Sequence, residues 1–431
     1  MNNKLFLTVL FVAFTAVASG QEDSWSVTKC ISVGLQNNIE IKIRQLEIKR
    51  TEKLQNSVLN RMLPAVTLYG DQSYNFGSTI DPSTNGRVSS NIQNDNFYLN
   101  AKMNLIDFSA FANAQKDKIN IELAKADAAV IENEYKLQIL ESYYQALYTQ
   151  ELVKIQKAQF KQSEFNLERI TKEVNIGSKP QSDLYDMQLS FSEDESRNMQ
   201  TEQLYGIQKM QLFQLLNFTD IAINQIELET ELLSGKEQTT LYNPKVKRAE
   251  LQFANSLKTI NLERAANLPI VSAFYGYSTF YYKNLKMEDP NAPVFFSQLQ
   301  DNKSEQVGLQ LAVPVFNGFR NTKKISAAKI EREKTKQFMQ QEEEDLEKQV
   351  VLEEQNAQNY LKLQQKLVEK QRYARASLAT TQAKFDNGKI EAILYSTIKN
   401  QLLMAEYEVL KNKLQIQFTS LKIDLLKFNS F

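Results

Sequence analysis

Residues 97–105 read FYLNAKMNL. Apolar Phe97, Leu99, Ala101, Met103 and Leu105 alternate with Tyr98, Asn100, Lys102 and Asn104. A period of two predicts a β-strand with one greasy and one wet face. Immediately downstream, Leu140, Tyr144, Leu147, Tyr148, Leu152 and Ile155 step at threes and fours, the stripe of a helix packed on neighbours. That helix is expected over about 110–174, and at about 1.5 Å per residue it spans roughly 100 Å. Far along the chain a matching strand returns, where Val307, Leu309, Leu311 and Val313 alternate with Gly308, Gln310 and Ala312. A second long helix, over about 320–385, follows it.

The recurrence is a tandem duplication. NNIEIKIRQLEIKR then MLPAV in the first half answers NPKVKRAELQFANS then NLPIV in the second. Asn38 to Pro64 and Asn243 to Pro269 are both separations of 26. LNAKMNLIDFSA aligns with LQLAVPVFNGFR, setting Asp107 against Asn317. NIGSKPQSDLY aligns with DNGKIEAILY, Gly177 on Gly388 and, after one residue of slip, Leu184 on Leu394. LLNF at 215–218 matches LLKF at 425–428. Each copy reads as a helix stopped by a proline, an ascending strand, a polar turn-rich stretch, a descending strand, the long helix, a glycine turn and a returning helix. The boundaries expected are 21–217 for the first repeat, with its β-hairpin over 64–106. A connecting segment covers 218–242, and the second repeat 243–431, with its hairpin over 269–315.

Composition narrows the function. Among 431 residues, Lys plus Arg equals Asp plus Glu at 51 each, so no basic field points to nucleic acid. Histidine is absent, which removes the commonest general base and metal ligand. A single cysteine, Cys30, excludes an internal disulfide and a thiolate zinc cluster, and is read as an ordinary half-buried thiol. No phosphate-binding glycine motif is present. No catalytic residue, cofactor or metal site is expected, and an enzyme is not. Met1–Gly20 has Lys4, an apolar run from Leu5 to Val17 and Ala18-Ser19-Gly20, the pattern of a signal peptide (1–20) cut after Gly20. No later segment is apolar for long enough to be a membrane-spanning helix.

The strands carry the functional signal. Tyr69, Tyr74 and Phe76, and Phe274, Tyr275, Tyr277, Phe280, Tyr281 and Tyr282, add aromatics to the ascending strands. Strands of roughly 9–11 residues, greasy on one face and polar on the other, suit a bilayer-spanning barrel. Phe97, Leu99, Met103, Leu105, Val307, Leu309, Leu311 and Val313 are the lipid-facing candidates. A sheet in lipid must close on itself, and four strands are too few to do so. The sheets of several copies must therefore join edge to edge. The competing reading is a small sheet on a soluble head domain.

The order of these elements, given twice, resembles the TolC-like outer-membrane efflux family (outer-membrane factors). The marks are LP after the first helix of each copy, LIDF and VFNGF after the descending strands, and the glycine turn running to Asp183-Leu184. The resemblance implies a mainly α fold with a membrane β-barrel. A homotrimer would share a twelve-stranded barrel in the outer membrane of a Gram-negative bacterium and extend a long α-helical barrel into the periplasm. It implies a passive, non-enzymatic exit duct of a tripartite efflux or type I secretion system. The partners would be a periplasmic adaptor (membrane fusion) protein, an inner-membrane pump of RND or ABC type, and outer-membrane lipid. The alternative is a periplasmic coiled-coil structural or adaptor protein without a pore. The cargo is not written in the chain.

The turns are the candidate gate. Gly177 suits the left-handed position that closes a helix. Ser178 is expected to cap the next, with Pro180 in its first turn and Gln181 completing the box. Asp183 then sits near a helix start, where the dipole favours an anion; this accounts for it without function. Symmetry offers more, because one Asp near a threefold axis becomes a charged ring. By its place after the glycine, Asp183 resembles the family's periplasmic-tip aspartate, which implies constriction. Asp186 is a second candidate, and Lys179 a partner across a helix interface. After Gly388 the matching place is apolar, Leu394 or Ile393, with Glu391 the nearby carboxylate. Gly177, Ser178, Gly388 and Lys389 are the adaptor-docking candidates.

Overall fold

A computed structural model describes residues 24–80, 84–89, 91–218, 223, 226–230, 241–286 and 293–429. The expected signal peptide, most of segment 218–242 and Phe431 lie outside the described residues, as do parts of both hairpin loops. The first repeat runs β1 (Ser24–Trp25), α1 (Val27–Asn37), α2 (Ile39–Leu54), α3 (Val58–Met62), β2 (Ala65–Asn75), β3 (Ser78–Ile80), β4 (Arg87–Ser89), β5 (Ile92–Ile106), α4 (Phe108–Asn175) and α5 (Gln181–Leu215). Then come β6 (Glu227–Leu228), α6 (Pro244–Ala265), β7 (Ile270–Asn284), α7 (Phe295–Asp301), β8 (Ser304–Ala312), α8 (Arg320–Asp386) and α9 (Ala392–Phe428).

The chain divides into two compact units, and neither unit is a repeat. One holds residues 1–45, 127–246 and 343–431; the other holds 46–126 and 247–342. Each therefore draws on both sequence copies.

In the second unit, β2, β5, β7 and β8 form one antiparallel sheet in that order, with β2 and β8 at the edges. Directly opposed residues share a face. Leu68, Leu99 and Tyr277 form one row, Val66, Ala101, Tyr275 and Val307 the next, and Met103, Ala273 and Leu309 a third. The opposite face carries Thr67, Asn100, Gly276 and Gln306, and below them Lys102, Phe274 and Gly308. Gly308 is there because the Phe274 ring lies against it; a Cβ would sit 2.7 Å from that ring. On this wet face Lys102 donates to Gln310 (3.3 Å), Asn96 to Asp71 (2.9 Å) and Ser272 to Asn104 (3.0 Å).

Two strand expectations are corrected. The register shifts between Asn104 and Ile106, so Leu105 is the extra residue of a β-bulge and Ile106 takes the place opposite Val271. β8 stops at Ala312, leaving Val313 beyond the strand, because Pro314 has no N–H to continue the ladder and holds its predecessor out of line. β5 hands over to α4 through Asp107, whose Oδ1 accepts from the backbone of Ser109 (2.9 Å) and Ala110 (3.2 Å). Helix α3 is held to α4 by Arg61, which pairs with Asp117 at 2.5 Å.

The first unit is helical, with a core of Trp25, Val27 and Cys30 against Ile139, Leu140, Tyr143 and Leu147 of α4, Phe213 of α5 and Leu425 of α9. The parallel β1–β6 pair closes over it, and the Tyr143 hydroxyl lies 2.8 Å from the Trp25 carbonyl and 2.6 Å from that of Glu229. Gly34 lets α1 approach α4 closely, since a Cβ there would meet Ile139 at 2.7 Å. Cys30 is fully buried rather than half-buried, and burial pushes its thiol up to about 12. No helix among the described residues is long and apolar enough to cross a membrane.

Candidate functional site

The glycine turns are built alike. Gly177 (φ 75°) donates to the Val174 carbonyl and Ser178 to that of Glu173, both at 2.9 Å. Gly388 (φ 68°) donates to Phe385 at 3.0 Å and Lys389 to Lys384 at 2.9 Å. This is the Schellman closure of a helix, twice. The next helix starts after Pro180 in one copy and Glu391 in the other, both at φ −74°, ψ 156°. Neither makes a side-chain cap, so the expected capping box on Ser178 is absent: the Schellman bond holds the Ser178 N–H, and the N-cap falls two residues later, on Pro180. With equal spacing, no slip exists between the copies. Asp183 corresponds to Leu394, and Leu184 to Tyr395.

That correspondence explains their burial. Leu184 and Tyr395 share one apolar cluster with Ile170, Met187, Phe385 and Ala392. Asp183 is only 5% exposed and pairs with Lys179 at 3.3 Å, whereas Leu394 and Glu391 are exposed. Asp183 is thus tucked against its own chain rather than projecting from the turn. Lys179 does reach the other repeat, with Nζ 4.8 Å from the centre of the Phe385 ring. Arg169 approaches the same ring at 5.0 Å, and Phe385 stacks on Tyr395 at 4.7 Å with 6° between planes.

Polar links tie the repeats beside this stack. Arg169 of α4 pairs with Asp386 at the end of α8, and Asn166 donates to the Tyr395 hydroxyl at 2.9 Å. Burial raises the Tyr395 phenol above its ordinary range. Arg169 Nε and Nη2 are buried without a hydrogen bond among the described residues, Nε lying 3.9 Å from a Glu173 carboxylate oxygen, so its hydrogen bonding is incomplete. Together these residues form a clasp between the two turns. Asp186 is half-buried; Ser178 and Lys389 are exposed.

Higher on the same helices lies a pair that the sequence reading did not single out. Lys399 of α9, 1% exposed, donates to Asp194 of α5 at 2.5 Å, to Ser163 of α4 at 2.9 Å and to Ser190 at 3.1 Å. Lys399 falls on the apolar stripe Ala392, Tyr395, Leu402, and Asp194 on a mixed stripe with Met187 and Ser190. The charge on the α9 stripe was the available signal.

The sheet offers the second functional surface. Val307, Leu309 and Leu311 are 82%, 72% and 65% exposed on β8, while Phe97, Leu99 and Met103 on inner β5 are half-buried. A contiguous apolar face of this size on an exposed sheet marks an interaction surface. Among the described residues, no strand lies beside its outer edges, on β2 and β8.

Residues 237–426 match the family model of the outer membrane efflux protein. Among solved structures the chain is similar to CusC, studied for folding and transmembrane channel formation, at 15% identity, covering 93% of this chain and 91% of that one, with a TM-score of 0.78. It is similar to the outer membrane protein VceC from Vibrio cholerae (12% identity, 93% and 95% covered, TM-score 0.77). The outer membrane channel CmeC of Campylobacter jejuni aligns at 11% identity over 93% and 85%, with a TM-score of 0.76. A search of curated proteins finds no significant match. The match to the outer membrane efflux protein model is thus confined to residues 237–426, and the fold of the whole chain is similar to that of CusC and VceC.

Proposed function

We propose that three copies close one barrel through the free edges of β2 and β8, and that the assembly is the outer-membrane exit duct of a tripartite efflux or type I secretion system. The observation that carries the proposal is the open four-stranded sheet, with one largely apolar face and, among the described residues, no strand at either edge. Unpaired backbone cannot stand in lipid, and identical copies supply the missing strands. The duct is passive. A periplasmic adaptor meets it at the exposed turn residues Ser178 and Lys389, beside Gly177 and Gly388, and an inner-membrane pump of RND or ABC type supplies the energy and chooses the cargo.

The turns form its closed end. Exposed Leu394 and Glu391 line the constriction, an apolar ring beside an acidic one. Asp183, with Lys179, works behind them by holding the Phe385–Tyr395 stack, and Asp186 stands one turn further along. Opening parts the clasp, separating Arg169 from Asp386 and Asn166 from Tyr395.

The test combines D386N with Y395F, which removes both polar links while keeping shape. In planar bilayers the double variant is expected to show higher single-channel conductance than the parent, and cells carrying it to leak a large antibiotic inward. Parent and variant conductances that coincide would remove the clasp from the gate. A parent that forms no channel would remove the duct itself.

A further inference from the structure

β7 outruns its neighbour. It continues to Asn284, while β8 begins at Ser304, which pairs with Ser278. Beyond Ser278 no strand among the described residues lies beside that edge of β7, and α7 takes the place. The Gln298 side-chain amide accepts from the Tyr282 N–H at 2.9 Å and donates to the Tyr282 carbonyl at 3.0 Å. Asn302 donates to the Phe280 carbonyl at 2.9 Å. Two amide side chains thereby satisfy backbone that strand pairing would otherwise serve.

The face on which α7 lies is fixed by its other contacts. Thr279 donates to the Leu299 carbonyl at 2.7 Å, and the Phe295 ring meets Phe97 at 6.4 Å and Tyr281 at 4.9 Å, both edge-on. Phe97 is opposite Thr279, in the same alternation as Leu99, Tyr277 and Leu309. So α7 caps the far end of the apolar face, outside the wet one. From it Val294 and Phe296 project, 72% and 78% exposed, larger fractions than a short solvent-facing turn needs to spend on apolar side chains. Lys283, two residues past Tyr281 on that face, and Lys303, just after α7, are exposed beside them.

We infer that α7 is an interfacial helix: it lies in the headgroup region of the bilayer, with Val294 and Phe296 in the acyl boundary and Lys283 and Lys303 against lipid phosphates. The inference rests on the barrel reading above. Aromatic and apolar anchors flanked by lysine are the composition of such a border. Its Phe295 ring meets Phe97 and Tyr281 on the face that carries Leu99, Tyr277 and Leu309, which names lipid as the occupant, with Thr279, Asp95 and Glu305 the polar members of that face. The rival occupant is the β2 end of a second copy, with exposed Tyr74 and Phe76. Strand addition at β8 fills the plane of the sheet, however, and the contact of Phe295 with Phe97 sets α7 over the face.

The experiment uses the full-length oligomer in phosphatidylcholine vesicles whose lipids are brominated either near the headgroup or near the chain ends. Bromine quenches tryptophan on contact. The native Trp25 is buried in the helical unit and supplies the unquenched wild-type background. F296W and V294W, each checked for retained oligomer, are expected to lose emission most strongly with headgroup-proximal bromine. L309W, on the sheet face itself, is expected to lose it most strongly with bromine deep in the chains. Quenching of L309W without quenching of F296W or V294W overturns the interfacial helix and leaves the barrel standing. No quenching at any of the three positions overturns the barrel reading, and the helix assignment with it.

Discussion

Lys399 shows how much one side chain can hold. Its ammonium and the Asp194 carboxylate are both out of water, joined at 2.5 Å, with Ser163 and Ser190 beside the ammonium and half-buried Arg197 3.7 Å from the carboxylate. A buried pair gains little over a well-packed apolar pair, yet breaking it by removing one partner costs about 3–5 kcal/mol, because the other charge is stranded. K399M is therefore expected to lower the apparent midpoint of thermal unfolding, followed by helical circular dichroism, and K399M with D194L to recover most of the loss. A K399M midpoint equal to the parent's would mean that the pair is not formed. The sequence displayed Lys399 on an apolar stripe, but a pairing across 205 residues has no local signature. Asp183 is the converse. Its place after Gly177 was legible, while its burial against Lys179 was not, because that depends on Phe385 and Tyr395 arriving from the other repeat.

At the scale of elements, the long helices and the main strands stood out because their periodicity persists over many residues. α4 and α8 hold their stripes through 68 and 67 residues, and β5 alternates cleanly from Phe97 onward. What escaped was short or defined by remote partners. β1 and β6 are two residues each and exist through one another, and α7 hid in a stretch read as a polar loop despite its Val294-Phe295-Phe296 run. The front of β5 from Gln93 to Asn96 is polar on both faces and gave no alternation; β7 pairs it into the sheet. The glycine turns were legible in kind but not in register, since the one-residue slip came from matching leucines rather than counting from the glycines. Both glycines have open space where a Cβ would go, so substitution there tests backbone alone. G177A and G388A are each expected to cost roughly 1–2 kcal/mol, the penalty of a left-handed non-glycine residue. Matching drops in the unfolding midpoint check this; a drop in one variant alone would show that the two turns are not equivalent.

At the scale of the molecule, the balance of charge, the absence of histidine and the doubled pattern pointed to an architecture rather than a reaction centre. The free edges of the sheet carry the whole-molecule prediction. Extracted in mild detergent, the processed chain is expected to run as an oligomer that heating dissociates, with helix and strand both present in its circular dichroism. A monodisperse single chain, stable in buffer without detergent, would refute the shared barrel.

The division into units that each borrow from both repeats has an ancestral consequence. β5 and β7, the central pair of the sheet, belong to different copies, and so do the two sides of the clasp. A gene encoding a single copy would have made a polypeptide with half of each unit and nothing to complete it. Such a polypeptide could complete either unit only by pairing with its twin, which on the threefold proposal above means six half-length chains in place of three. Joined in one chain, the two halves need not match, and an aspartate in the first turn corresponds to a leucine in the second.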